Sequence, residues 1–311
     1  MNKKKIWHLA IALVLLNIAV LGYLVLHAPG RDAESARAKH PFLSARIFPD
    51  NPNDILMNFV PLRKALEEKF NGIPADTKYS FYFEYLPSGT SIRIGDDNEL
   101  VAASLIKVPL VMDLYRAAEL GLTDLDKEIT ITEEDLDNAY GDLWKQGAGT
   151  KVSLRNLAQL ALAQSDNTAS RAIFNHVKYM LKAEEQCLVQ LDVDQKLQGG
   201  QAVITAKSYS SILKSLYFAS CANKASSNEI LSYLTQSNEV DRLTKNLPAD
   251  VKVAHKNGVY NQEWSESDCG IVYATGRPYT VCVMIGLPEN EADAFMADVS
   301  KMIFDYITSQ P

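Results

Sequence analysis

The sequence predicts an α+β fold, in which an antiparallel sheet is flanked by helices, an all-helical subdomain is inserted into it, and an N-terminal membrane helix precedes it. Three observations predict this. Strand-like runs lie at both ends of the globular part, within 78–94 and 251–285, while residues 104–217 between them carry helical periodicity. One sheet must therefore be assembled from distant segments around a helical insertion. Ahead of both stands an apolar run over 6–26, interrupted only by His8 and Asn17.

That run follows Lys3, Lys4 and Lys5. At ~1.5 Å rise per residue it just spans a ~30 Å hydrocarbon core. A lysine cluster before it stays in the cytosol and sends the remainder outward. A cleaved signal peptide usually has an apolar region of only ~7–15 residues and a small-residue cleavage pattern. Here His27-Ala28-Pro29-Gly30 follows instead. The expectation is a cytoplasmic tail over 1–5, a signal anchor over 6–26, a stalk over 27–53 and an extracytoplasmic domain over 54–311. The domain would be secreted if the anchor were cut.

A helix is expected from Ile55 to Phe70, where Leu56, Phe59, Leu62, Leu66 and Phe70 fall near helical spacing. Lys78–Tyr85 reads as a strand, and Pro87-Ser88-Gly89 turns it into Thr90–Ile94. The helical middle is broken near Gly121, Gly147-Ala148-Gly149 and Gly199-Gly200. Short strands follow at Val251–Ala254, Gly270–Ala274 and Tyr279–Ile285, then a final helix over Glu291–Ile307.

Composition narrows the chemistry. A net charge of −7 supplies no basic stripe for nucleic acid. The five histidines show no metal-ligand spacing and there is no Cys-x-x-Cys, so neither a metal nor another cofactor is expected. Cys187 and Cys221 lie in different helical segments and can pair, whereas Cys269 and Cys282, on adjacent strands, read as buried thiols. The domain is expected to be monomeric.

Three short motifs carry the functional reading. In Ser104-Leu105-Ile106-Lys107 the serine and lysine, three apart at the start of a helix, share a face, so the amine can reach the hydroxyl. The helix N-terminus also favours developing negative charge. Alone this spacing means little, since Ser211-Ile212-Leu213-Lys214 repeats it. Ser165-Asp166-Asn167 lies between two helices, where a capping residue is needed in any case. Lys256-Asn257-Gly258 closes the Val251–Ala254 strand, where a turn is the ordinary reading.

Taken in order, the three resemble the Ser-x-x-Lys, Ser-Asp-Asn and Lys-x-Gly motifs of class A-like serine β-lactamases and penicillin-binding DD-peptidases. Ser165 follows Ser104 by 61 residues, and Tyr140 precedes Ser165 by 25, where that family carries a cleft-gating tyrosine. The resemblance covers about Asn53 to Ser309. It implies a serine acyl-enzyme hydrolase acting on β-lactams or peptidoglycan stem peptides. Ser104 would be the nucleophile, Lys107 its base and Ser165 a proton relay. Asn167 would orient the substrate amide, and Lys256 would attract a substrate carboxylate, with Asn257 and Gly258 beside it. The backbone N–H groups of Ser104 and Val259 would hold the oxyanion, and Asp166 would brace its turn.

Two departures qualify it. Asn257 stands where the family has a hydroxyl that helps bind the substrate carboxylate. Only 91 residues separate Ser165 from Lys256, and the deficit falls before Thr205, where a loop glutamate normally activates water. Glu184 and Glu185 come too early, leaving Asp192 and Asp194 as candidates. Deacylation is therefore expected to be impaired. The alternative is a catalytically weak β-lactam-sensing or wall-binding module that keeps the fold.

Overall fold

The computed structural model describes Trp7, His8, Leu13, Leu16, Asn17 and residues 57–310 apart from 96–97, 194–195 and 263–264. Most of the expected anchor and the whole stalk thus lie outside the described residues, as does Asp194. Among the described residues no helix is long and apolar enough to cross a membrane. Residues 57–311 form one compact unit.

Helix α1 (Val60–Asn71) starts with a proline in its first turn and buries Leu62, Leu66 and Phe70. It begins later than the apolar spacing suggests, because Pro61 suits only the first turn of a helix. Strands β1 (Tyr79–Tyr85) and β2 (Thr90–Ile94) form the expected hairpin, and β8 (Val253–Tyr260), β9 (Ser265–Val272) and β10 (Tyr279–Ile285) complete an antiparallel sheet ordered β2-β1-β10-β9-β8. The two chain ends therefore meet at β1 and β10, with Phe81 opposite Val283.

Period-two alternation divides the core. Phe81, Phe83, Val281 and Val283 face one cluster, against α1 and the last helix α8 (Glu289–Ser309), which contributes Phe295, Met296, Val299, Ile303 and Ile307. Tyr82, Cys282 and Met284 face the other cluster, which joins the sheet to the helical part. Fully burying each such side chain contributes roughly 1.5–3 kcal/mol.

The inserted part is mainly helical: α2 (Lys107–Glu119), α3 (Leu154–Ala163), α4 (Asn167–Val177), α5 (Cys187–Gln190), α6 (Ala206–Tyr217) and α7 (Lys224–Leu234). It also holds two small sheets. Strand β4 (Glu128–Thr130) pairs with β5 (Lys151–Ser153), and β7 (Gln201–Ile204) lies between β3 (Leu100–Val101) and β6 (Lys196–Gln198). Gly199 and Gly200, read as a break between helices, are instead the tip of the β6–β7 hairpin. Both have positive φ (58° and 81°), the geometry of a two-residue hairpin turn.

Two further expectations are corrected. Strand β8 does not end at Ala254 but runs through Lys256 to Tyr260, because β9 pairs with it residue by residue, Lys256 opposite Cys269 and Gly258 opposite Ser267. Cys269 and Cys282 are not free thiols but form a disulfide. Their strands place them directly opposite, with Cα atoms 3.9 Å apart, so the two sulfurs share the same face. Cys187 and Cys221 are bridged as well, tying α5 to the connection between α6 and α7 across a Cα separation of 5.7 Å.

Candidate active site

Ser104 lies in a tight 3-10 turn, Ala103–Ile106, that leads directly into α2. The preceding Ala103 has φ 45°, a left-handed conformation costing about 1–2 kcal/mol for a residue with a Cβ. The turn is held from three sides. Ala102 N–H donates to Ala202 O at 2.8 Å, the Ser265 hydroxyl to Val101 O at 3.0 Å, and the Tyr209 hydroxyl to Leu105 O at 3.2 Å. Strand β8 closes the fourth side. A Cβ at Gly258 would meet Ala102 O at 2.8 Å and Ser267 Oγ at 2.7 Å, so only glycine lets the strand approach the Ser104 turn.

Lys107 occupies the first position of α2 and is only 5% exposed. Its ammonium is turned onto the second motif rather than onto Ser104. It donates to Ser165 O, to Ser165 Oγ at 3.1 Å and to Asn167 Oδ1 at 2.7 Å. Burial lowers its pKa to about 8, against the opposing pull of Asp166 and Asp137. The lysine–serine contact expected from helical spacing is not formed among the described residues. Contacts of this kind often tighten only when substrate binds.

The second motif is held by capping. Ser165 has φ 54°, which turns the chain between α3 and α4. Asp166 is fully buried and caps α4 through Oδ1 (from Ala169 N, 2.8 Å), while Oδ2 accepts from Leu143 N at 2.9 Å. It therefore fastens the 137–143 loop to the helix. Gly141 fits over it without a side chain, since a Cβ there would lie 2.2 Å from Asp166 Oδ2. Asn167 donates its side-chain amide to Asp137 Oδ1 at 3.0 Å, and its backbone N–H to Tyr140 O at 3.0 Å.

Lys256 is completely buried, and its Nζ donates to Asn257 Oδ1 at 2.9 Å and Asn257 O at 3.2 Å. Burial first, then the charge of Lys107, brings its pKa down to about 7. Behind it His255 Nδ1 lies 2.9 Å from Asp268 Oδ1, and Asp268 is held below the usual carboxylate range despite its burial, chiefly by His255 and by Arg242.

Ser104, Tyr140, Ser165, Asn167, Asn257, Gly258 and Val259 line one cleft of about 450 Å³, with Lys107 and Lys256 buried behind its wall. All nine residues singled out by sequence thus converge. The same cleft contains residues that sequence reasoning missed. Glu239 accepts a hydrogen bond from the Tyr140 hydroxyl, and Asp241, Arg242, Glu289 and Asp293 stand nearby. They lie in the connection before β8 and at the start of α8, where no local pattern marks them. The acidic residues of the shortened segment fare differently, both the candidate Asp192 and the glutamates set aside as too early. Glu184, Glu185 and Asp192 are not among the cleft-lining residues, and Glu185 instead caps Lys182 N at 2.8 Å. Among the described residues no group of three or more His, Cys, Asp or Glu side chains gathers to hold a metal.

Comparison with solved structures agrees with this architecture. The fold superimposes on PBP-A with a TM-score of 0.73 at 19% identity, covering 81% of this chain and 97% of that one. A PBP-A variant solved as an acyl-enzyme complex with penicillin G gives 0.73 at 20% identity, over 80% and 97%. A beta-lactamase from Sphaerobacter thermophilus gives 0.72 at 20%, over 82% of this chain and all of the other. At the sequence level, the model of the beta-lactamase enzyme family matches residues 61–307. The chain therefore belongs to the beta-lactamase enzyme family and is a serine β-lactamase-like hydrolase.

Proposed function

We propose that this chain forms an acyl-enzyme through Ser104 with β-lactams or peptidoglycan stem peptides and releases the acyl group slowly. Ser104 Oγ attacks the carbonyl carbon as its proton passes to neutral Lys107, forming the O–C bond. Backbone N–H groups of Ser104 and Val259 hold the oxyanion. When the C–N bond breaks, the Ser165 hydroxyl relays a proton from Lys107 to the leaving nitrogen. Asn167 orients the substrate amide, and Tyr140 forms the cleft wall. Water then has to cleave the ester. The observation carrying this reading is the Lys107 ammonium bridging Ser165 and Asn167 in the cleft that holds Ser104.

Slow release is supported by the absence of Glu184, Glu185 and Asp192 from the cleft lining, which leaves the water without a base from that segment among the described residues, a loss of typically ~10²–10⁴-fold. The same observation favours a second reading, a β-lactam-sensing module that stays acylated. Tethering to the membrane by 6–26, with the hydrolase outside, is supported by the lysine cluster and the apolar run that follows it.

The test is intact-protein mass over time after adding benzylpenicillin, with Ser104→Ala as control. A persistent adduct on the wild type alone is expected. An adduct that decays within seconds would overturn slow release, and none at all would overturn acyl transfer.

A further inference from the structure

In the family that this chain resembles, the lysine of the third motif and a neighbouring hydroxyl attract a carboxylate on the leaving part of the substrate. Here both cations beside Gly258 are already committed. The Lys256 ammonium is sealed from solvent and donates to the side chain and carbonyl of Asn257, the residue that replaces the hydroxyl. Arg242, the cationic side chain among the cleft-lining residues, is clamped on three sides. Its Nε donates to Asp293 Oδ1 at 2.6 Å, one terminal nitrogen to Glu266 Oε2 at 2.6 Å, and the other to Ser267 O at 2.8 Å and Gly258 O at 3.1 Å. Four of its five donor hydrogens are thus spent inside the protein.

What faces an incoming leaving group is instead acidic. Glu239, Asp241, Glu289 and Asp293 line this side of the cleft against the single guanidinium. Glu239 is bonded only by the neutral Tyr140 hydroxyl, which leaves its charge unbalanced by any ion pair among the described residues. A substrate carboxylate here would find no free cation and several like charges. A neutral amide, or an amine, would find acceptors.

Building on the acyl-transfer reading, we propose that the cleft favours acyl donors whose leaving part is neutral or cationic and still acylates those with a free carboxylate there, benzylpenicillin included, but more slowly. The substrate class is then a carboxyl-capped peptide or ester, such as a stem peptide whose leaving residue is amidated or extended through a further peptide bond. Glu239 and Asp241 are the specificity-determining residues.

The experiment uses three thioesters with the same benzoyl-D-alanyl acyl group. Their leaving thiols are thioglycolate, its carboxamide and the quaternary 2-(trimethylammonio)ethanethiol, whose nitrogen cannot take the acyl group. Second-order acylation rates of the full chain are measured at low ionic strength, with Ser104→Ala as control. The carboxamide and the quaternary ammonium are expected to react at least about fivefold faster than the carboxylate, since one like charge at ~4 Å in water costs about 1 kcal/mol. The preference should shrink towards unity in a Glu239→Gln/Asp241→Asn double variant. It should also shrink in wild type at about 0.5 M salt, where screening acts within ~4 Å, so the test does not depend on the variant folding. A carboxylate ester reacting as fast as the others would overturn the selectivity and leave acyl transfer standing. Failure of all three to acylate Ser104 would overturn both.

Discussion

The Lys107 ammonium lies 3.1 Å from the hydroxyl of Ser165, a residue 58 positions further along the chain. This contact joins the first motif to the second, and both partners are buried. A lysine held there must be neutral to accept a proton, and burial has already moved it part of the way.

Acylation should therefore rise with pH and level off above about 8, where Lys107 is neutral. Because Lys256 carries the second depressed amine, at about 7, the ascending limb reports the pair and not one residue. With Lys256 already neutral where Lys107 titrates, Lys256→Met should strip the lower component and leave a single limb near pH 8. The stability sign follows from the same shifts. The unfolded chain binds more protons than the native one between about pH 7 and 10, so unfolding free energy should increase with pH across that window. Stopped-flow acylation and urea melts at several pH values check both. A two-component limb that persists in Lys256→Met would remove the coupling argument.

Gly258→Ala should be the most damaging small substitution in the third motif. Its methyl group would press on Ala102 O and Ser267 Oγ and push β8 away from the Ser104 turn. Overpacking of this kind costs typically ~1–3 kcal/mol. Thermal melting should drop accordingly, and acylation should fall further than stability alone explains. Wild-type acylation in a folded variant would show that the close approach does not position Ser104.

Asp166→Ala should weaken both stability and acylation although Asp166 touches no substrate in the mechanism above. It deletes the α4 cap, at about 1 kcal/mol, and strands the Leu143 N–H, at about 1–3 kcal/mol. Loss of the tie should loosen the 137–143 loop that supports Asn167. Faster amide exchange in that loop, with slower acylation, is the expected pattern. Unchanged exchange there would confine Asp166 to capping α4.

Much of this was written locally. The alternation in Phe81-Tyr82-Phe83, the amphipathic spacing of Phe295, Val299 and Ile303, and the order of the three motifs each follow from neighbouring residues, because strands and helices sort side chains by short periods. Those patterns determined the class of fold and the motif residues that converge on the cleft.

What they left open depends on partners far along the chain. Strand β8 continues through Lys256 and Asn257 because β9 supplies its hydrogen bonds, and buried polar residues break the apolar pattern from which a strand is read. Cys269 meets Cys282 through the β9–β10 register, which places them face to face and which the cysteines themselves do not encode. The direction of the Lys107 ammonium, and the entry of Glu239 and Arg242 into the cleft, were decided by the closure of helical part onto sheet. Charges and hydrogen bonds act through space at a few ångströms. Only the folded chain fixes which groups come that close.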